Sequence, residues 1–196
     1  MPPKSTRTAH DLAIIGNDPH FSDIARDTDR FRRVVRFNNA AGFGSTSGQR
    51  ISELVLVSRG GQAAEWLADP GFVARPAVRL TDRFTLVFPP TSDPGAECVT
   101  EALTALLETS GKPVRHIEQS VHDQARHALQ VFGAPVDVAL SSGFVFTFQT
   151  LLERAADAPP IDVFGFSFQG WEGHAWHAEK RWFEANEKLG RLTVWP

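Results

Sequence analysis

Arg33–Gly44 reads RVVRFNNAAGFG, a strand in its first half and a loop in its second. Val34, Val35 and Phe37 surround Arg36 with β-branched and aromatic side chains, which predicts a short buried strand. Asn38 and Asn39 follow, and after them Gly42 and Gly44. Asparagine is depleted from strands and is seldom buried. A pair of them at the tip of a buried strand, opening a Gly/Ser/Thr-rich loop over Asn38–Gly48, points to a segment that carries function rather than packing.

The pattern repeats outward from this stretch. LAII (Leu12–Ile15) is a continuous apolar run ended by Gly16-Asn17, and ELVLV (Glu53–Val57), FTLVF (Phe84–Phe88), Val114–Ile117, IDVFGF (Ile161–Phe166) and Arg191–Val194 predict further strands. Helical stretches fall between them: a short one within Phe21–Arg32, then Gly61–Leu67, Cys98–Thr109, His122–Phe132, Phe144–Ala156 and Gly173–Leu189. In the third of these, Val99, Ala102, Leu103, Leu106 and Leu107 keep helical spacing, with Gly111 and Pro113 as stops. Short apolar strands alternating with helices predict an α/β fold, a Rossmann-like, mainly parallel sheet flanked by helices. Residues 1–10 read as a flexible tail and residues 11–196 as a single domain.

Composition bounds the function. A chain of 196 residues buries roughly 70% of its unfolded surface, enough for a core without staples. Net charge is −3, so no global field favours nucleic acid or an anionic membrane. Cys98 is the sole cysteine, which excludes an intrachain disulfide and a multi-cysteine metal site. The start, MPPKSTRTAH, carries no apolar signal segment, and no run of ~18 apolar residues predicts a transmembrane helix. The expectation is a cytoplasmic protein, at most peripheral at the inner membrane face.

Ligands of parallel α/β sheets sit at the carboxyl ends of strands. Three such ends are chemically unusual: IIGN, with Gly16 and Asn17 past the first strand; RFNN, with Asn38 past the second; and LSSG (Leu140–Gly143), at the start of a helix. An asparagine amide both donates and accepts, so it can meet a pyrimidine edge, a ribose hydroxyl or a phosphate oxygen. The start of the helix at Ser141, Ser142 and Gly143 leaves backbone N–H groups free for an anion. The plainer readings are a turn asparagine and a serine N-cap. A fourth cluster, HAWHAE (His174–Glu179), sets His174 and His177 at i, i+3 on an expected helix, a spacing suited to a general base or to two metal ligands. No third ligand is evident and HEXXH is absent, so no metal is expected. Trp176, Trp182 and Phe183 follow helical spacing and read as core, and Asp27 and Asp29 as a solvated turn. GFGSTSGQR has the texture of a Walker loop without its lysine, and no GxSxG elbow is present.

Taken in order, LAIIGN, RVVRFNNAAGFGSTSGQR, LSSGFVFTFQTLL with IDVFGF, and HAWHAE resemble the motifs of the sialyltransferase family of glycosyltransferases, family twenty-nine, in a short bacterial-type form. Members carry a long motif (VVGNS, then D-x-V-x-R-x-N-x-A and GFE-x-DVG-x-K-T), a short motif (S-T-G, then V-x-V-x-G-F) and a very short one (H-x-x-x-x-E). His174 and Glu179 meet the last spacing. The resemblance spans most of residues 12–59 and 138–184. It implies a variant GT-A-like sialyltransferase fold and a metal-independent, inverting transfer of a sialic-acid- or Kdo-type sugar acid from a CMP donor to a glycan or glycolipid acceptor. By position it implies that Gly16, Asn17 and Asn38 border the CMP phosphate and ribose, that Ser141, Ser142 and Gly143 form a backbone site near the donor, and that His174 is the catalytic base.

The chain departs from the family where GFGSTSGQR lacks the acidic residue and lysine of the long motif, and where Ser142 stands for threonine. The departures keep a second reading open, a non-catalytic module of the same fold that binds a nucleotide or glycan phosphate. A third reading is a metal hydrolase built on His174, His177 and a carboxylate.

Overall fold

The computed structural model describes residues 11–18, 25–91 and 98–195. Seven strands, β1 (Leu12–Ile15), β2 (Arg33–Phe37), β3 (Glu53–Leu56), β4 (Arg83–Leu86), β5 (Val114–His116), β6 (Ile161–Phe164) and β7 (Leu192–Trp195), form one sheet in the order β5-β4-β3-β2-β1-β6-β7. Every neighbouring pair is parallel. The helices are α1 (Ala25–Thr28), α2 (Gly61–Ala68), α3 (Pro76–Leu80), α4 (Thr100–Glu108), α5 (Gln119–Gln130), α6 (Ser142–Glu153) and α7 (Trp176–Lys188), with a 3₁₀ turn at Phe72–Ala74. The α/β class read from the sequence is the class observed.

Strand alternation divides the core between two faces. Leu12, Ile14, Val35, Phe37 and Val163 point to one face and meet Phe144, Phe146, Trp182 and Phe183 of α6 and α7. Leu54, Leu56, Phe84 and Leu86 point to the other and meet Trp66, Phe72, Leu103 and Leu107. The chain builds outward from β1 to β5, then crosses back to the far side of β1 for β6 and β7. That reversal opens a crevice between the carboxyl ends of β1 and β6, where open α/β sheets bind ligands. Gly16 lets the two strand ends close in: its N–H donates to Phe164 O at 2.8 Å, and a Cβ on it would lie 2.2 Å from Gly165 O.

Several boundaries shift for local reasons. The expected strand through Phe166 stops at Phe164, because Gly165 turns the chain at φ 65°. The helix expected from Gly173 begins at Trp176. Cys98 precedes α4 and bridges Arg59. The 3₁₀ turn and α3 each span about one turn and carry no periodic signal. The tail at 1–10, and residues 21–24 of the first expected helical stretch, lie outside the described residues. Among the described residues, no helix is long and apolar enough to cross a membrane.

One charge cluster is buried within the sheet. Glu53 is fully buried on β3, and Arg33 of β2, Arg115 of β5 and Thr85 of β4 all donate to its carboxylate. Burial pushes the Glu53 carboxyl up, but Arg33, Thr85 and Arg115 together outweigh it and hold the group below its ordinary value. A carboxylate depressed in this way stabilises the fold above the ordinary glutamate pKa and loses that contribution as pH falls through the folded value. Glu53→Gln strands two arginines, so it is expected to lower stability at pH 7 by roughly 3 kcal/mol. The gap from the unsubstituted protein should narrow steadily below about pH 4.5 in urea titrations; a gap independent of pH would contradict this account of Glu53.

Candidate active site

A cleft of about 230 Å³ opens at the carboxyl ends of β1, β2 and β6. Gly16, Asn17, Asn38, Ser141, Ser142, Gly143 and His174, all singled out from the sequence, line it together. Their chemistry differs from residue to residue.

Asn38 ends β2 in a left-handed turn, at φ 51°, the conformation asparagine tolerates best after glycine. Its backbone N–H donates to Val55 O and its Oδ1 accepts from Val57 N at 2.9 Å, which latches the tip of β2 to β3. Its Nδ2 has no partner among the described residues and is left at the cleft. Asn17 is committed at both ends: Nδ2 donates to Phe37 O at 3.1 Å, and Oδ1 accepts from Ala41 N at 3.0 Å. It ties the tip of β1 to the turn after β2. Asn39 faces away, accepting from Trp66 Nε1 and Arg75 Nη1.

Of the loop expected to carry function, Asn38 alone among the described residues lines the cleft; Ala40 and Phe43 pack into the core of the opposite face. Arg36, 1% exposed, reaches from β2 into that loop and donates to Ser47 Oγ at 2.6 Å, to Arg50 O at 2.9 Å, and to Ser47 O and Gly48 O. Burial lowers its pKa to about 10, with the charge of Asp29 opposing. Asp29 accepts from Gln49 N and Arg50 N, so it is a loop anchor rather than part of a solvated turn; Asp27 is exposed.

Ser141 is the N-cap of α6: its Oγ accepts from Phe144 N at 3.1 Å. The same hydroxyl donates to Glu179 Oε2 at 2.6 Å, and the Ser141 N–H donates to Glu179 Oε1 at 3.0 Å. Ser141 therefore has no donor left for a ligand. The next two backbone N–H groups, of Ser142 and Gly143, have no acceptor among the described residues and lie at the cleft. A Cβ on Gly143 would sit 2.7 Å from the Phe166 ring, so glycine allows the helix to start this close to the floor. Glu179 is 1% exposed. Burial raises its carboxyl above the ordinary range, against the opposing effects of Ser141 and the His174 charge.

His174 lies before α7, not on it, in a parallel bridge with Ala139. Its Nδ1 is 2.9 Å from Ala139 O. A carbonyl only accepts, so Nδ1 carries the proton and the neutral ring keeps its lone pair on Nε2. The rings of Trp171 and Trp176 stand edge-on to it at 4.9 and 4.8 Å. Trp176 thus walls the cleft instead of joining the core, while Trp182 and Phe183 are buried as expected. His177 is exposed on α7 and shares no helix face with His174. Among the described residues, no three His, Cys, Asp or Glu side chains come together to hold a metal ion.

The far wall, Gly165–Gln169, was not identified from the sequence. Its signal was the pair of glycines flanking FSFQ, both of which adopt positive φ, 65° at Gly165 and 132° at Gly170.

Known proteins resemble this chain in two ways. No family model matches it. In sequence it is 25% identical, over 196 residues, to the urease operon 23 kDa accessory protein of Rhizobium meliloti (strain 1021), covering 92% of this chain and 90% of that protein. In structure it resembles a variant of the sialyltransferase CST-II in complex with CMP, with TM-score 0.57 and 13% identity over 95% of this chain and 80% of the other. It also resembles CstII from Campylobacter jejuni bound to the substrate analogue CMP-3FNeuAc, with TM-score 0.54 and 14% identity over 95% and 79%. A third structure, CST-II with a trisaccharide acceptor and CMP, gives TM-score 0.51 and 11% identity over 94% and 80%. The likeness is one of fold: the chain has the Rossmann-like α/β architecture of the CstII sialyltransferases.

Proposed function

We propose that the cleft binds the CMP portion of a CMP-activated sugar acid and that the protein is a metal-independent, inverting glycosyltransferase. One observation carries this reading: the free Nδ2 of Asn38, the unpaired N–H groups of Ser142 and Gly143, and the available Nε2 of His174 converge on one cleft at the switch point of the sheet. Its likeness in fold to CMP-bound sialyltransferases supports the choice of nucleotide.

The chemistry follows from these groups. The phosphate of a CMP-sugar is a monoanionic diester, and the N–H pair at the start of α6, at the positive end of the helix dipole, stabilises the charge that gathers on it as the glycosidic C–O bond breaks. His174 Nε2 takes the proton of the acceptor hydroxyl as its oxygen attacks the anomeric carbon from the opposite side. Ala139 O stabilises the imidazolium through Nδ1. The products are the glycosylated acceptor, with inverted configuration, and CMP. Asn17 and Ser141 serve by position, holding the β2 turn and the α6 start.

A second reading is favoured by the missing acid and lysine of the loop and by the similarity to a urease accessory protein: a binding module of the same fold that holds the nucleotide without transferring the sugar. Hydrolysis of the CMP-sugar without acceptor separates the two, since a transferase leaks free sugar and a binding module does not.

Calorimetry with CMP in EDTA is expected to give binding that Asn38→Ala weakens about tenfold, the loss of one or two hydrogen bonds to an anion. His174→Ala should keep CMP affinity within about twofold and abolish transfer. CMP binding that requires a divalent metal, or equal loss of binding and transfer in His174→Ala, would overturn the assignment. Glu179→Ala leaves two Ser141 donors buried and unpaired, so it should lower stability by about 2–4 kcal/mol and reduce CMP affinity as well. Glu179→Gln, which retains an acceptor for the Ser141 N–H, should recover most of the affinity; failure of glutamine to do better than alanine would contradict a positioning role.

A further inference from the structure

Behind His174 lies a second, larger chamber of about 820 Å³, well within the range that holds drug-sized ligands. It shares Asn38, Ser142 and His174 with the first cleft, so the catalytic imidazole stands where the two meet. Its remaining walls include Arg59, Gln62, Phe88 and Trp171, and among the described residues no carboxylate lines it.

Arg59 is anomalous. Among the described residues it forms no ion pair, and its Nε is buried without a hydrogen-bond partner. A buried unpaired donor costs about 1–3 kcal/mol, more when charged. The guanidinium nevertheless sits on a built support. It stacks over Phe88 at 4.6 Å, Phe88 stacks on His122 at 5.1 Å, and His122 Nε2 donates to Val87 O at 2.6 Å. Burial, with the charges of Arg59 and Arg126 adding to it, keeps His122 below the ordinary histidine range. The Arg59 side chain also bonds the Cys98 thiol. Helix α2 also begins at this chamber, at Gly60 and Gly61, without a side-chain cap. An arginine supported on an aromatic ring, with its Nε unfilled and no acid paired with it among the described residues, is complementary to a planar carboxylate.

We propose that this chamber seats a carboxylate-bearing sugar and that Arg59 reads its carboxylate, across His174 from the nucleotide. The inference rests on the reading of the first cleft as a CMP site. The carboxylate could belong to the donor's own sugar acid or to an acidic acceptor, and the experiment separates them.

Calorimetry would compare CMP with CMP-N-acetylneuraminic acid, and lactose with sialyllactose, for the unsubstituted protein, Arg59→Gln and Arg59→Lys. Arg59→Gln is expected to leave CMP affinity within about twofold and to weaken the acid-bearing ligand about 10–100-fold, the worth of a charge-assisted hydrogen-bonded pair. Arg59→Lys should recover part of that loss. Loss confined to CMP-N-acetylneuraminic acid assigns the carboxylate to the donor; loss confined to sialyllactose assigns it to the acceptor. Equal weakening of CMP and the acid-bearing ligands, or no weakening of either, overturns the proposal. Absence of CMP binding by the unsubstituted protein overturns the nucleotide reading instead, and the comparison of sialyllactose with lactose still decides Arg59. Thermal unfolding of Arg59→Gln, expected within about 1 °C of the unsubstituted protein or above it, checks that the variant is folded.

Discussion

Glu179 is a carboxylate buried at the junction of α6 and α7, and its two oxygens take the N–H and the hydroxyl of Ser141. The pairing sets the geometry of everything around it. It commits Ser141 and leaves Ser142 and Gly143 with their N–H groups unspent at the cleft. It also fixes α7 against the start of α6, and so holds the chain just before α7 where His174 can bond Ala139. An acid desolvated this far is costly, and burial keeps its proton affinity high; the two Ser141 donors offset that cost. The H-x-x-x-x-E spacing is therefore physical: the histidine faces the cleft while the glutamate, five residues on, is buried one helical turn into α7.

The opposite rim is made rigid by different means. Arg36 extends from β2 into the following loop and satisfies three of its carbonyls and a hydroxyl, while Asp29 and Asn17 hold the loop's outer and inner ends. Only Asn38 of that loop, among the described residues, reaches the cleft, and the rest of the loop decides where it stands. Preorganisation of this kind lets a site stabilise a transition state without reordering its own side chains first.

The sheet was legible because its strands are short continuous apolar runs, the mark of parallel strands buried on both faces. LAII and RVVRF became β1 and β2 almost to the residue. The cleft was legible because strand tips in such a sheet converge, so Asn17, Asn38 and the LSSG turn had to be neighbours once the topology was parallel. What sequence could not convey was which groups were already spent. Ser141, Asn17 and Asp29 look like free polar residues in a string of letters, and their partners lie 38, 24 and 20 residues away. The place of His174 was misread for a similar reason: a helical spacing was extended three residues past the true start of α7, where Ala139 competes for the chain. Arg59 gave no signal at all, since its meaning depends on an Nε left buried and unpartnered in space.

The proposal that two backbone N–H donors of the cleft hold an anion is best tested at those donors. In ¹⁵N-labelled protein titrated with CMP, the amide resonances of Ser142 and Gly143 should shift saturably, and that of Ser141, bonded to Glu179, should move far less. Saturating CMP that leaves the Ser142 and Gly143 amides where they began would contradict the account.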